Sequence, residues 1–281
     1  MPSLIPDLVK FRLSAAVALS SVTGWFLFKN SIDINLLYLF CGVFLLASGA
    51  SVLNQYMERE QDALMDRTRA RPIPSKKIDS RSALIFSIFL LAAGCFVLLL
   101  TGKIPLTLGL TTVILYNFIY TTLKSKTILA IIPGALTGAI PPVIGFTAAG
   151  ATTLNHDIIV FSLFMLLWQL PHFWIILLRY GDEYRKAGFI TFPDYFTASK
   201  IRFLIFFWVS GTCLALYFSG IFGFGPGFIA VSAFMNIIFI LLFYRSLFVN
   251  KAANGIHSAF LLINLYSLSL MLLLIAVSVI K

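Results

Sequence analysis

Nine stretches of this chain, near residues 12–28, 34–57, 82–101, 104–123, 129–149, 157–179, 201–220, 225–245 and 256–280, are runs of apolar residues of about membrane-spanning length. A helix needs roughly 20 such residues to cross a hydrocarbon core of about 30 Å. Inside that core no water is available to the backbone, so each run has to be helical or part of a closed barrel, and runs of this length favour helices. The expectation is an all-α, polytopic membrane protein with nine transmembrane helices, the short first span and the long second one adjusting by tilt. Of 281 residues 59% are hydrophobic, and the mean hydropathy is +0.95, which excludes a soluble fold. The connections are too short to build a second domain, so one membrane-embedded domain covering 1–281 is expected.

Charge orients the runs. The net charge of +10 does not indicate nucleic acid, because the basic residues lie in short connections between the apolar runs. With the N terminus cytoplasmic, 18 of the 21 basic residues fall inside and only Lys29, Lys103 and Lys281 fall outside. That bias predicts the N terminus inside and the C terminus outside. The segments 58–81 and 180–200 are the two longest inner connections, four spans apart, a hint of two similar halves. The start, MPSLIPDLVK, has no basic region followed by an apolar core and a small-residue cleavage site, so no cleaved signal is expected. Cys41, Cys95 and Cys213 stand singly in apolar stretches and are read as packing residues.

Chemistry concentrates in NQYMEREQDALMDRTRARPIP, residues 54–74. Charged residues make up 11% of the chain, yet seven fall between Glu58 and Arg69. If the second span continues as a helix, Asn54, Glu58, Asp62 and Asp66 recur every fourth residue along one face. Like charges at that spacing repel unless a cation lies against them. Oxygen ligands in such a row suit Mg²⁺ shared with phosphate. A plain cytoplasmic loop would explain Arg59, Arg67, Arg69, Arg71, Lys76 and Lys77, but not the acidic row.

Other polar features point to the same membrane face. Tyr120 and Lys124 are one helical turn apart at the inner end of the fourth span, where the lysine either contacts phosphate or snorkels. In PGALTGAIPP, residues 133–142, Gly134 and Gly138 form a small-residue face for close packing, and Pro141-Pro142 is expected to interrupt the helix. His172, in WQLPHFW, is a polar side chain in an apolar helix; a metal, a carboxylate or another helix are all open as its partner. Trp168, Phe173 and Trp174 serve either as an aromatic wall for a large planar or isoprenoid ligand or as packing. The same span ends in Arg179, Asp182, Glu183, Arg185 and Lys186, a second mixture suited to metal and diphosphate. His257 and Asn264 are read as inter-helical hydrogen-bonding groups.

These motifs, in this order, resemble those of the protoheme IX farnesyltransferases, a branch of the UbiA-like intramembrane prenyltransferases. The family's Asn-x-x-x-Asp-x-x-x-Asp pattern falls on Asn54, Glu58 and Asp62, followed by DALMDRTRARPIP, Asp62 to Pro74. The Tyr-x-x-x-Lys element falls on Tyr120 and Lys124, and GAxxGAxPP on Gly134, Ala135, Gly138, Ala139, Pro141 and Pro142. The Trp-Pro-His-Phe element falls on Trp168, Pro171, His172 and Phe173, and the second acidic element on Glu183 to Gly188. The ordered matches cover about residues 48–193. The chain departs from the pattern at Glu58 and Glu183, where Asp is common, at Ala130, where Asn is common, and at Lys186, which stands where a second acid would follow Asp182.

The resemblance implies a UbiA-like fold and transfer of farnesyl from farnesyl diphosphate to the 2-vinyl group of haem b, forming haem O, with Mg²⁺ as cofactor and haem as substrate. It implies that Asn54, Glu58, Asp62, Asp66, Asp182 and Glu183 hold metal or diphosphate. Lys124, with Asn54, Glu58 and Asp62, is implied in catalysis. Arg69, Arg71, Tyr120, Trp168, His172, Arg179 and Lys186 are implied in binding substrate, His172 at the haem. The expected setting is a prokaryotic inner or plasma membrane, with lipid as surroundings and a haem-handling protein or haem A synthase as a partner. A quinone-precursor or other aromatic-acceptor prenyltransferase and a membrane transporter are the alternatives. Prenyl turnover, and competition between haem b and an aromatic acceptor, separate the three.

Overall fold

The computed structural model describes residues 4–191, 194–218, 226–250 and 252–280. Expectations resting on Lys251, Lys281 and the end of the resemblance at 192–193 lie outside them. All regular elements among the described residues are helical. The chain begins with α1 (Leu4–Leu8), α2 (Phe11–Phe26), α3 (Ile34–Met57) and the short α4 (Arg59–Leu64). It continues with α5 (Ser80–Leu99) and α6 (Lys103–Val113), which runs through a π-helical turn (Ile114–Tyr120) into α7 (Thr121–Leu123). The remaining helices are α8 (Ile131–Ala148), α9 (His156–Lys186), α10 (Ala198–Phe218), α11 (Pro226–Tyr244) and α12 (Ala252–Ile280), with a second π-helical turn, Arg245–Val249, after α11.

Eight of these segments, among the described residues, are long and apolar enough to cross a membrane. The sequence leads to nine. The difference is the first span, expected near 12–28, which forms α2 with 16 residues, about 24 Å, shorter than the hydrocarbon core. Its composition follows from its place in the bundle. Helix α2 packs against α3, α8 and α12, and its buried Ser14, Ser20, Ser21, Thr23 and Gly24 are small residues that admit close neighbours. A Cβ on Gly24 would stand 1.9 Å from the Pro142 carbonyl oxygen, and one on Gly145 would stand 1.7 Å from that of Ser21. The two backbones therefore meet at glycine. The outward faces are apolar, with Phe89, Phe207, Phe234 and Leu241 exposed, as lipid contact requires.

One further expectation changes: helix α8 is continuous through Pro141 and Pro142. In a bundle, neighbouring helices support a span whose backbone donors proline has removed. Gly134 and Gly138 do pack closely, since a Cβ there would meet Tyr120 at 2.9 Å and Gln169 at 2.5 Å, respectively, and the backbone crossing with α2 lies at Gly145. Helix α9 has 31 residues and bends at Tyr180, whose φ of −125° and ψ of 15° leave the helical region. Its last six residues thus form a separate turn, ended by Gly188 at φ +81°, a conformation costly for other residues. Apolar packing divides into two main clusters. One joins Ala18, Trp25, Val43, Leu98 and Ile144 across the first half of the chain; the other joins Phe161, Trp168, Ile205, Phe243 and Ile263 in the second.

Candidate active site

Helix α3 carries the acidic row to one end of the bundle. Backbone bonds from Glu58 N–H to the Asn54 carbonyl (3.0 Å) and from Asp62 N–H to that of Glu58 (2.7 Å) preserve the four-residue spacing through the break between α3 and α4. Asn54, Glu58 and Asp62 are all buried, Asp62 at 1% exposure. The chain then turns back on itself, with Thr68 Oγ1 donating to the Asp62 carbonyl at 2.8 Å. That reversal returns Arg71 to the row, and its Nη1 donates to Asp62 Oδ2 at 2.7 Å.

The cations that offset the row come from distant segments. Lys124, at the end of the α6–α7 span, pairs with Glu58. Lys10 Nζ donates to Asn54 Oδ1 at 3.2 Å. Lys10 sits at a sharp corner between α1 and α2, at φ 47°, and Gln55 Nε2 holds this corner by donating to the Leu8 carbonyl at 2.6 Å. Burial first, then the Arg71 charge, pull the Lys10 ammonium down to about 7, despite the opposing pull of Glu58. The like charges on the row are thus held by protein cations. Asp62 Oδ1 has no hydrogen-bond partner among the described residues although it is buried.

The second inner connection reaches the first. Glu183 Oε2 accepts from the Arg67 backbone N–H at 2.9 Å, while Arg67 Nη2 donates to the Tyr184 hydroxyl at 2.8 Å. The guanidinium also lies over the Tyr180 and Tyr184 rings, 4.9 and 5.5 Å from their centroids. Met65 packs with Ala187 and Phe189. Beside Lys124, a small cavity of about 60 Å³ is lined by Tyr120, Phe173, Tyr184, Phe189 and Ile131. Lys124 Nζ lies 4.6 Å from the Phe189 ring, and Tyr120 lies 5.7 Å from Phe173. Gly134 leaves room for that pair, since a Cβ there would meet the Tyr120 ring at 2.9 Å.

Not every expected residue joins this group. Asp66 falls beyond the end of α4, is 72% exposed and pairs with Arg69 at 3.1 Å, because the helix that would have kept it on the row stops at Leu64. Asp182 is 91% exposed and faces Arg185, since the bend at Tyr180 turns Glu183 rather than Asp182 toward the first connection. Arg179 pairs with His257, and Lys186 is exposed at the end of α9. Trp168 is core: its Nε1 donates to the Ile263 carbonyl at 3.1 Å and its ring stacks on Tyr266 at 4.9 Å. The His172 ring lies 5.0 Å from Phe260 and makes no hydrogen bond among the described residues. Lys10, Arg67, Thr121 and Tyr184 enter the group without having been singled out for it. Lys10 read only as a topological charge, and its partner is 44 residues away.

The UbiA prenyltransferase family model matches residues 13–278. The chain belongs to the UbiA prenyltransferase family. Among similar proteins, the protoheme IX farnesyltransferase of Geobacter sulfurreducens is 40% identical over 184 residues, 65% of this chain and 68% of that one. That of Cytophaga hutchinsonii is 39% identical over 189 residues, 66% of each chain, and that of Oleidesulfovibrio alaskensis is 33% identical over 219 residues, 78% and 77%. The first two matches thus span about two thirds of those relatives' lengths. Two solved structures share the UbiA fold at low identity. Digeranylgeranylglyceryl phosphate synthase superposes with a TM-score of 0.75 at 19% identity, covering 99% of each chain. A UbiA homolog from Archaeoglobus fulgidus bound to GPP and Mg²⁺ superposes with a TM-score of 0.76 at 15% identity, covering 98% of each.

Proposed function

We infer that this member of the UbiA family transfers the farnesyl group of farnesyl diphosphate to the 2-vinyl group of haem b, giving haem O. The observation that carries the reading is the sustained identity to protoheme IX farnesyltransferases, near 40% over 184 residues, in a chain whose Asn54, Glu58 and Asp62 row is buried. The reaction breaks the C1–oxygen bond of the diphosphate, joins C1 to the terminal vinyl carbon, and adds hydroxide from water to the inner vinyl carbon. Diphosphate and a proton leave.

The donor set fits Mg²⁺. The unpartnered, buried Asp62 Oδ1 is a costly atom without a ligand. No group of three or more His, Cys, Asp or Glu side chains suited to a metal occurs among the described residues. Mg²⁺ commonly binds through one or two carboxylates together with substrate phosphate oxygens, so a sparse protein set suits it. Asn54 and Asp62 would hold it, with Glu58 beside them on Lys124 and Glu183 on the Arg67 N–H at the edge of the site, and Asp66 and Asp182 are left to the exposed rim. Bound there, Mg²⁺ supplies Lewis-acid neutralisation of the departing diphosphate. Lys124 and Arg71 offer donors to the same anion and, on binding it, exchange contacts with the row for contacts with phosphate. Tyr120, Phe173, Tyr184 and Phe189 present aromatic faces that favour a cationic allyl group and keep water from it. Arg69, Arg179 and Lys186, on the flanking connections, are offered to the haem propionates, and His172 to the porphyrin.

The same reading includes a cytoplasmic N terminus and an outer C terminus, nine membrane-embedded helices with α2 as the short one, and a single domain. It places the chain in a prokaryotic inner or plasma membrane, with haem b delivered, or haem O taken up, by a haem-handling protein or haem A synthase. The deciding experiment is mass spectrometry of the product formed by purified protein from farnesyl diphosphate, haem b and Mg²⁺. A hydroxyethylfarnesyl porphyrin is expected. Its absence, with prenylation of an aromatic acceptor offered in competition, would overturn the choice of acceptor.

A further inference from the structure

We propose that Thr121 is a positioning residue that locks the side-chain amide of Asn54 with its oxygen toward the ligand side of the site. The proposal rests on the reading of Asn54 as a ligand for metal. An amide has a donor end and an acceptor end of nearly the same shape, so only its hydrogen-bond network decides which way it faces. Here Thr121 decides it. The Thr121 hydroxyl has one proton, and Oγ1 lies 2.9 Å from the Tyr116 carbonyl oxygen, which can only accept. The proton is thereby committed, and Oγ1 can receive only a donor from Asn54 Nδ2, 3.1 Å away. At the other end Lys10 Nζ donates to Oδ1 at 3.2 Å.

The local fold makes this bond a built feature. The π-helical turn Ile114–Tyr120 sends the Thr121 N–H as well as its hydroxyl to the Tyr116 carbonyl. One helical turn along, the wholly buried Asn117 Nδ2 donates to the Ala50 carbonyl at 2.9 Å. Asn117 to Ala50 and Thr121 to Asn54 are successive rungs between the same two helices, each pair four residues from the next. The lower rung fixes the spacing and the upper one fixes the amide. A flipped Asn54 would set its carbonyl against the committed hydroxyl oxygen, and would offer hydrogens instead of lone pairs to a cation.

The test uses full-length protein in detergent and measures Mn²⁺ binding by electron paramagnetic resonance in the presence of inorganic diphosphate. Thr121→Val keeps the shape and removes the oxygen. Loss of an outer partner of this kind typically weakens metal affinity about 10- to 100-fold, and the lower end is expected here, with Thr121→Ser restoring the parent value. In an Asn54→Ala background, Thr121→Val should change affinity no further, whereas a merely structural role would act in both backgrounds. If Asn54→Ala weakens Mn²⁺ binding and Thr121→Val leaves it unchanged, the proposal falls. If Asn54→Ala has no effect on it, the reading of Asn54 as ligand falls first. Should Thr121→Val fail to fold, Thr121→Ala removes the hydroxyl without adding a methyl group, and the same two outcomes apply to it.

Discussion

Asp62 and Glu58 are both buried and each is paired with one cation, Arg71 and Lys124, and these pairings set what each substitution should do. Asp62 keeps one buried oxygen unpartnered while Arg71 holds the other. Asp62→Asn preserves the shape and removes the charge; turnover at saturating substrates should fall on the order of 10²-fold, with a shallower Mg²⁺ dependence and unchanged membrane insertion. Near-normal turnover would sink its assignment as a ligand. Glu58 is matched by Lys124, and breaking a buried pair from one side leaves an uncompensated charge at a cost of about 3–5 kcal/mol. Lys124→Met should therefore lower thermal stability in detergent, and Glu58→Gln added to it should recover stability without recovering activity. His172→Ala should weaken haem b binding more than farnesyl diphosphate binding, read by the haem absorbance band; equal affinities in a folded variant would return His172 to packing.

At the scale of elements, the bundle depends on helices that meet backbone to backbone. Because a Cβ at Gly145 would stand 1.7 Å from the Ser21 carbonyl oxygen, Gly145→Ala must push α2 and α8 apart. Overpacking of this kind costs roughly 1–3 kcal/mol or more, and thermal unfolding should show it. Lys10 stands at the start of α2 and contacts Asn54, so part of the damage should appear as weaker diphosphate binding. An unchanged melting temperature would show that the crossing relaxes without strain. The same element explains why eight segments, where the sequence leads to nine, are long and apolar enough to cross a membrane among the described residues. A helix enclosed by neighbours selects serine, threonine and glycine rather than leucine, so its hydropathy understates how deeply it lies.

For the whole molecule, the contacts of Arg67 with Glu183 and Tyr184 require the two long inner connections to share one side of the membrane. Lys76 and Lys186 are both exposed on them, so Lys76→Cys and Lys186→Cys should react with a membrane-impermeant thiol reagent from the same side. Labelling from opposite sides would refute both the topology and the shared site.

The sequence by itself determined the helical class, because the backbone in lipid must be satisfied by helices or a closed barrel and apolar runs of this length suit helices, and it located the motif residues Asn54, Glu58, Asp62, Tyr120 and Lys124, because a four-residue period survives in any helix. It did not determine where that period stops. Asp66 has the right spacing, and only the end of α4 at Leu64 and the turn that returns Arg71 to Asp62 remove it from the row. Nor does any local pattern bring Lys10 to Asn54, Thr121 to the same amide, or Arg67 to Glu183 across 116 residues. Those meetings follow from which helices neighbour one another and from the bend at Tyr180, and such choices depend on packing between segments that a reading along the chain does not place side by side.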